Sequence, residues 1–433
     1  MTLEENFRIL NYWVRNKMNK SKIDIWVYAH WAGMKEAKGI GILSAHIGKG
    51  RKTFSFEYDK DWISSREQML LDPDLGWYSG PQFPNNKDNF GIFLDSMPDT
   101  WGRTLMQRRE AQRAHEEGRA PGKLHDIDYL LGVYDDSRMG ALRFKLDPNG
   151  PFLETASNTT TPPWTTLGEL EEAVRIIESD DDNETIRKWI LMLIAPGSSL
   201  GGARPKANFT DSSRDLWIAK FPSKNDKIDK ALWELLAYRL ALQAGITMSE
   251  SRIIRLSGAY NTFLTKRFDR ILNDRIHFAS AMTMTGNYEE VLRDKNASYL
   301  EIAEFIKYSG AQNMEDLHQL WRRMAFNISI SNTDDHLRNH GFLLSNKGWR
   351  LSPAYDINPS IDKDGLALNI DMDNNALDFD LAKSVGEYFM LNKKQMEEIL
   401  TQIISVVAKW RVLANSIGIL KKEQEMMQPA FKI

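Results

Sequence analysis

The sequence predicts an α/β (α+β) chain in two parts: a mixed domain of sheet and helix, then a part whose glycine loop and sheet lead into a mainly helical C-terminal lobe. Three observations predict it. The 433 residues are 42% hydrophobic and 27% charged, ordinary globular usage that can bury a sizeable core in two or three domains. Runs of β-branched and aromatic residues alternate with amphipathic stretches up to about residue 298. After Tyr299 helical spacing dominates.

Residues 1–22 read as an N-terminal extension that mixes both charge signs with apolar positions and lacks the features of a secretory signal. Residues 23–155 read as the first domain. Its strand signals are IDIWVYAHWAG from Ile23 and KTFSFEYD from Lys52, its helix is TLMQRREAQRAHEEG ending at Gly118, and LGVYDDSRMGALRFKL reads as a turn and then a strand. ASNTTTPPWTT, residues 156–166, holds five threonines and two prolines, cannot bury an apolar face, and reads as the linker.

Residues 167–298 read as a helix running to near Ile194, a Gly/Ser loop, strands, and a helix over Asp229–Gln243. Residues 299–433 read as the helical lobe. Its last long helix is expected over Lys394–Asn415, with Met396, Ile399, Leu400, Ile403, Val407, Trp410 and Ala414 on one packed face. No stretch approaches the roughly 20 apolar residues of a membrane helix, so a soluble, cytoplasmic chain without a membrane partner is expected.

Lys plus Arg number 56 against 59 Asp plus Glu, a formal net charge of −3, which excludes a dominantly basic nucleic-acid binder. The absence of cysteine excludes disulfides, thiolate metal sites and cysteine nucleophiles.

Three signals carry chemistry. In GSSLGGARPKANF, Gly197–Phe209, glycines precede a strand, and such a loop can bring bare backbone N–H groups to phosphate oxygens, with Lys206 as a point charge. It matches neither GxGxxG nor GxxxxGK[ST], and a plain turn is the competing reading. Lys220 ends the apolar strand LWIAK, where its burial is costly unless an anion meets it, and Glu234 follows on the next helix. This is the order of the kinase strand lysine and helix glutamate; a snorkelling lysine and a solvated glutamate are the alternative.

The third signal is Asn332-Thr333-Asp334-Asp335-His336-Leu337-Arg338-Asn339-His340-Gly341. Asp334 and Asn339 have the spacing of the kinase catalytic loop, where Asp takes the hydroxyl proton and Asn holds Mg²⁺. A hairpin folding about Lys347 would then bring Asn339 beside Tyr355 and Asp356, two oxygen ligands for a hard Mg²⁺ completed by phosphates. Capping of a turn by Asp334 and Asp335 is the bland reading. A zinc-hydrolase reading of His336 and His340 lacks the glutamate after the first histidine.

The conjunction resembles the HipA family of bacterial serine/threonine kinases, toxins of type II toxin–antitoxin systems. The motifs behind the resemblance are Asp95–Arg103 (DSMPDTWGR), Gly132–Ala141 (GVYDDSRMGA), Ser199–Lys206 (SLGGARPK), Lys266–Arg270 (KRFDR), Asn332–Asn339 and Ser352–Asp356 (SPAYD). The resemblance implies a protein-kinase-like bilobal core, after a HipA-type N-terminal domain, that binds ATP with Mg²⁺ between its lobes. It implies Asp334 as catalytic base and Asn339 and Asp356 as metal ligands. ATP would meet Gly201, Gly202, Ala203, Arg204, Pro205, Lys206, Lys220, His336, Asn339, Tyr355 and Asp356, with Lys266 and Phe268 at the adenine, and Glu234 pairing Lys220.

It also implies autophosphorylation of the glycine loop at Ser199, with Ser198 beside it as the other candidate. The implied partners are a small dimeric helix-turn-helix antitoxin, operator DNA through that antitoxin, and an aminoacyl-tRNA synthetase as protein substrate. Trp101–His125 holds six Lys/Arg against three Glu, a possible backbone-phosphate contact or simply a solvated helix face. Two rival functions stand beside this reading: a nucleotide-binding, non-catalytic corepressor in an antitoxin–DNA complex, and a small-molecule kinase.

Overall fold

A computed structural model describes residues 22–47, 52–65, 69–153, 166–179, 190, 193, 202, 204–272, 274–289, 292 and 297–433. The chain divides into two compact units, Met1–Ala219 with Asp269–Phe278, and Lys220–Phe268 with Ala279–Ile433. The expected extension and almost all of the expected 156–166 linker lie outside the described residues.

The first unit is built on a four-stranded antiparallel sheet in the order β3-β2-β1-β4, with β1 Lys22–Ala29, β2 Lys38–Ile47, β3 Lys52–Tyr58 and β4 Leu142–Lys145. Alternation in β1 buries Ile23, Ile25, Val27 and Ala29 on one face. Strand β2 escaped the sequence reading because Gly39 and Gly41 dilute its strand signal. Gly41 is required there: a Cβ would stand 2.2 Å from the Glu57 carbonyl oxygen.

Helix α1 (Thr100–Glu116) is capped by Asp99, whose carboxylate accepts the Gly102 N–H at 2.8 Å. It stops before Gly118, whose φ of +63° suits glycine, as the sequence predicts. Helix α2 (Asp126–Leu131) was missed; its signal is a short capping box between His125 and Asp128. Helix α3 spans Leu167–Ser179, and its expected continuation toward Ile194 falls almost wholly outside the described residues. Strands β5 (Lys206–Thr210) and β6 (Leu216–Lys220) are neighbours, and the last residue of β6 opens the second unit.

Asp269–Phe278 belongs to the first unit although its neighbours in sequence belong to the second. Asp269 accepts the Gly140 N–H at 2.8 Å, Arg275 donates to the Asp135 carboxylate at 2.9 Å, and His277 stacks on Trp31 at 5.5 Å. Asp269 and Arg275 are almost fully buried, so their bonds replace water that they have lost.

In the second unit β7 (Ser251–Ile254) and β8 (Thr262–Lys266) form an antiparallel pair packed on α4 (Lys230–Gln243), with Ala231, Leu235 and Phe263 in one cluster. Helices α5 (Tyr299–Ser309) and α6 (Asn313–Ser329) pack together, and β9 (Gly341–Ser345) pairs with β10 (Gly348–Leu351) across a two-residue turn. Gly348, directly after that turn, takes φ +124°, a conformation open to glycine.

The helix expected over Lys394–Asn415 is two helices, α7 (Lys393–Val407) and α8 (Trp410–Ser416). The Lys409 N–H bonds to the carbonyl three residues back, at Val406, which tightens the last turn and ends α7. The break aims Trp410 at Phe431, where the rings stack 4.1 Å apart and 5° from parallel. All seven apolar positions named for that helix are buried. No helix among the described residues is long and apolar enough to cross a membrane.

Candidate active site

The apolar pattern of β6 makes the strand, and its end places Lys220 in the second unit with a side chain only 11% exposed. Its ammonium donates to Glu234 on α4 at 2.5 Å and to Asp356 at 2.7 Å. Burial opposes the charge, but the two carboxylates more than offset it and hold the lysine protonated well above its ordinary range. The competing snorkelling reading is therefore not what the structure shows for this side chain.

Asp356 sits at φ +58°, a left-handed backbone unusual for aspartate. The segment before it is anchored on both sides: Ala354 N–H bonds to Thr247 O at 2.8 Å, and the buried Arg323 donates to Ser352 O at 2.5 Å. Tyr355 donates to Arg338 O at 2.7 Å, while its ring lies 5.5 Å from that of Phe268. Lys266 uses its amide toward Glu250 O and its carbonyl toward the Ser249 hydroxyl.

Helix α6 delivers the loop that carries Asp334. Ser331, at φ +49°, ends the helix, and Asn332 folds back so that its N–H meets Asn327 O at 2.8 Å. A 3₁₀ turn at Leu337–Asn339 then leads into β9. Asp334 is exposed, its carbonyl accepting from Asn339 Nδ2 at 3.0 Å. With Nδ2 so used, the amide oxygen of Asn339 remains to meet a hard cation.

Asp335 was missed as a functional residue. It is 2% exposed and accepts from the Tyr299 hydroxyl and from His340 Nε2, the latter at 2.8 Å. Burial pushes its carboxyl up, but His340 and the two hydrogen bonds outweigh this and hold it below the usual range. Burial and the Asp335 charge keep the Tyr299 phenol protonated. The available signal was the Asp-Asp doublet itself, in which only one neighbour can face a substrate. With His340 Nε2 bound to Asp335, a zinc site on His336 and His340 finds no support.

Among the described residues no cluster of three His, Cys, Asp or Glu side chains could hold a metal alone. Two oxygen donors, Asn339 and Asp356, suit a Mg²⁺ whose other positions are filled by phosphate and water. His336 Nδ1 is shielded from solvent without a protein hydrogen-bond partner among the described residues, a polar atom that an anionic ligand could satisfy.

In the first unit, the glycine loop is described only at Gly202, Arg204 and Pro205; Ser198, Ser199, Gly201 and Ala203 lie outside the described residues. Gly202 takes φ +92°. Lys206 is 2% exposed and pairs with Asp99 at 2.9 Å, so a protein carboxylate compensates the charge assigned to phosphate. In the basic stretch Trp101–His125 three of the six cations pair within the unit: Arg113 with Glu117, Arg119 with Glu110, and Arg103 with Asp126. These pairs favour the solvated helix face over a phosphate contact.

Residues 198–410 match the family model of the HipA-like C-terminal domain. The fold over 93% of this chain and 93% of the other is similar to that of a chain in the Shewanella oneidensis MR-1 toxin–antitoxin complex of HipA, HipB and operator DNA, with a TM-score of 0.64 and 18% identity. A Haemophilus influenzae protein named "Putative kinase" is 26% identical over 179 residues, 37% of this chain and 52% of its own length. The chain thus spans about half the length of that curated relative. The Helicobacter pylori proinflammatory kinase CtkA aligns with a TM-score of 0.33 at 13% identity, over 49% of this chain and 94% of its own.

Proposed function

From the match of residues 198–410 to the HipA-like C-terminal domain, we propose that the protein is an ATP- and Mg²⁺-dependent serine/threonine protein kinase acting as the toxin of a toxin–antitoxin pair. The observation that carries the reading is the Lys220 ammonium shared between Glu234 and Asp356, in the same unit as the Asp334-x₄-Asn339 loop. A buried lysine with two carboxylates is the arrangement that positions nucleotide phosphates in kinases.

In the proposed reaction a serine or threonine hydroxyl gives its proton to the Asp334 carboxylate as its oxygen attacks the γ-phosphorus and the β–γ bridging bond breaks. Lys220 orients the phosphates, while Asn339 and Asp356 hold the cation. Bound Mg²⁺ would neutralise charge on the phosphate oxygens. Most of the rate gain then comes from positioning and from fixed charge. Aromatic contact between Tyr355 and Phe268 supports an adenine site bounded by Lys266–Phe268.

The same proposal includes self-inactivation by phosphorylation at Ser199 or Ser198, since a phosphate adds about −1.5 to −2 charges to a loop suited to the phosphates of ATP. It includes a helix-turn-helix antitoxin dimer that brings the protein to operator DNA; the formal charge of −3 favours an indirect route to DNA. An aminoacyl-tRNA synthetase is the proposed substrate class.

The test is intact-mass and phosphosite mapping of wild type and Asp334→Asn after incubation with Mg-ATP, starting from dephosphorylated protein. Phosphate gained by wild type alone, with nucleotide still bound by the variant, supports the kinase. Equal phosphorylation of both proteins would remove Asp334 from the role of base. If ATP binds and neither protein gains mass, the non-catalytic corepressor replaces the kinase.

A further inference from the structure

Asp334 and Asp335 are adjacent, yet one is exposed and the other almost fully buried. We propose that Asp335 is a positioning residue of the transfer site: through Tyr299 and His340 it fixes the loop from which Asp334 reaches the substrate. The proposal rests on the kinase reading of Asp334 and concerns how that side chain is presented.

Two donors from other parts of the unit meet at the Asp335 carboxylate, and α6 is linked to them through Tyr299. Tyr299 is the first residue of α5, His340 immediately precedes β9, and both donate to the same oxygen, Oδ2. The Tyr299 hydroxyl in turn accepts from Asn327 Nδ2 of α6 at 3.2 Å. Asn327 Oδ1 accepts from Asn332 Nδ2 at 3.1 Å, which ties the start of the loop to the same helix. Every one of these residues is buried, with exposures of 0–2%.

A buried carboxylate must find donors, so the turn of the main chain at Asp335 is dictated by where Tyr299 and His340 stand. Inward fixation of Asp335 sends the preceding side chain outward. The Asp334 carbonyl is held independently by Asn339 Nδ2. The backbone of the proposed base is thus restrained on both sides, and its side-chain torsions are what remains to adjust. Such restraint matters because an error of about 1 Å in a reacting group can cost on the order of 100-fold in rate.

The experiment compares full-length wild type, Asp335→Asn, Tyr299→Phe and Asp334→Asn. Three quantities are read: kcat per nucleotide-binding molecule, Kd for a fluorescent ATP analogue with Mg²⁺, and hydrogen–deuterium exchange of peptides covering 332–340. Asp335→Asn is expected to lower kcat by about 100-fold at unchanged Kd, with faster exchange confined to 332–340. Tyr299→Phe, which removes one donor and keeps the ring, should fall between it and wild type.

Wild-type kcat in Asp335→Asn, or lost rate with wild-type exchange at 332–340, overturns the proposal. Should Asp335→Asn fail to fold, Tyr299→Phe carries the same comparison. If wild type itself transfers no phosphate, the kinase reading fails separately; the exchange data then decide alone whether Asp335 holds the loop, and unchanged exchange refutes it.

Discussion

Lys220 lies 2.7 Å from Asp356 while also bonding Glu234 at 2.5 Å, so one ammonium ties the end of β6 to α4 and to the segment following β10. Removing that charge leaves the nearly buried Glu234 carboxylate without its partner and beside Asp356, whose side chain is 32% exposed. Lys220→Met is expected to lose phosphate transfer by about 100-fold or more and to destabilise the second unit by about 3–5 kcal/mol. Lys220→Arg keeps the charge but not the point geometry, so stability should recover further than activity. Thermal melts and phosphate incorporation check both; wild-type melting of Lys220→Met would show that the triangle holds nothing together.

Asp356 serves Lys220 in this structure and is also the one carboxylate in the proposed Mg²⁺ pair. Asp356→Asn should therefore raise the Mg²⁺ concentration needed for half-maximal activity by on the order of tenfold, because ligand charge tunes affinity for hard cations. Asn339→Ala should act in the same direction. A Mg²⁺ titration of activity measures this, and an unchanged midpoint in both variants would exclude the pair as ligands.

In the first unit Asp99 has two tasks, capping α1 and pairing with buried Lys206. The substitutions separate them. Asp99→Asn retains an acceptor for the Gly102 N–H and should cost less than Asp99→Ala, which loses the cap, worth about 1 kcal/mol, as well as the buried pair, worth about 3–5 kcal/mol. Urea unfolding of the two variants gives the order. Equal losses would mean that the cap contributes nothing beside the charge.

These cases show what was legible beforehand. Lys220 stood out because a lone lysine in an apolar strand announces an electrostatic partner, and the hairpin after the 334–339 spacing led to the expectation that the SPAYD segment returns to the loop, where Tyr355 bonds to Arg338 O. Glu234 followed from chain order. What stayed hidden was long-range: no local pattern says that Asp99 meets Lys206, or that Asp269–Phe278 joins the first unit through Gly140 and Asp135. Asp335 was visible only as half of a doublet, since its partners come from two other elements. The break between α7 and α8 was missed because the apolar spacing continues unchanged through Lys409, and the rings that meet Trp410, Phe431 and Trp233, lie far from it in sequence.

His277 supplies a pH dependence separable from catalysis. It is 1% exposed and stacked on Trp31, and burial drives its imidazole down to about 3. The unfolded chain protonates this histidine near 6.5, so between about 6.5 and about 3 the unfolded state binds more protons. Stability therefore falls as the pH falls through that window, by up to ~1.4 kcal/mol per pH unit, and is insensitive to this group above it. Asp135, whose carboxyl is held below its ordinary value by Arg275 and Arg143 against the effect of burial, also loses stability on acidification, but only near and below the usual carboxylate range. His30 is also held down by its partial burial and contributes in the same window, so the part due to His277 is the difference between wild type and His277→Phe in their denaturant midpoints at pH 7 and pH 5. His277→Phe keeps a ring against Trp31 and should flatten the difference seen in wild type; equal slopes in the two proteins would mean that His277 is not buried as a neutral group.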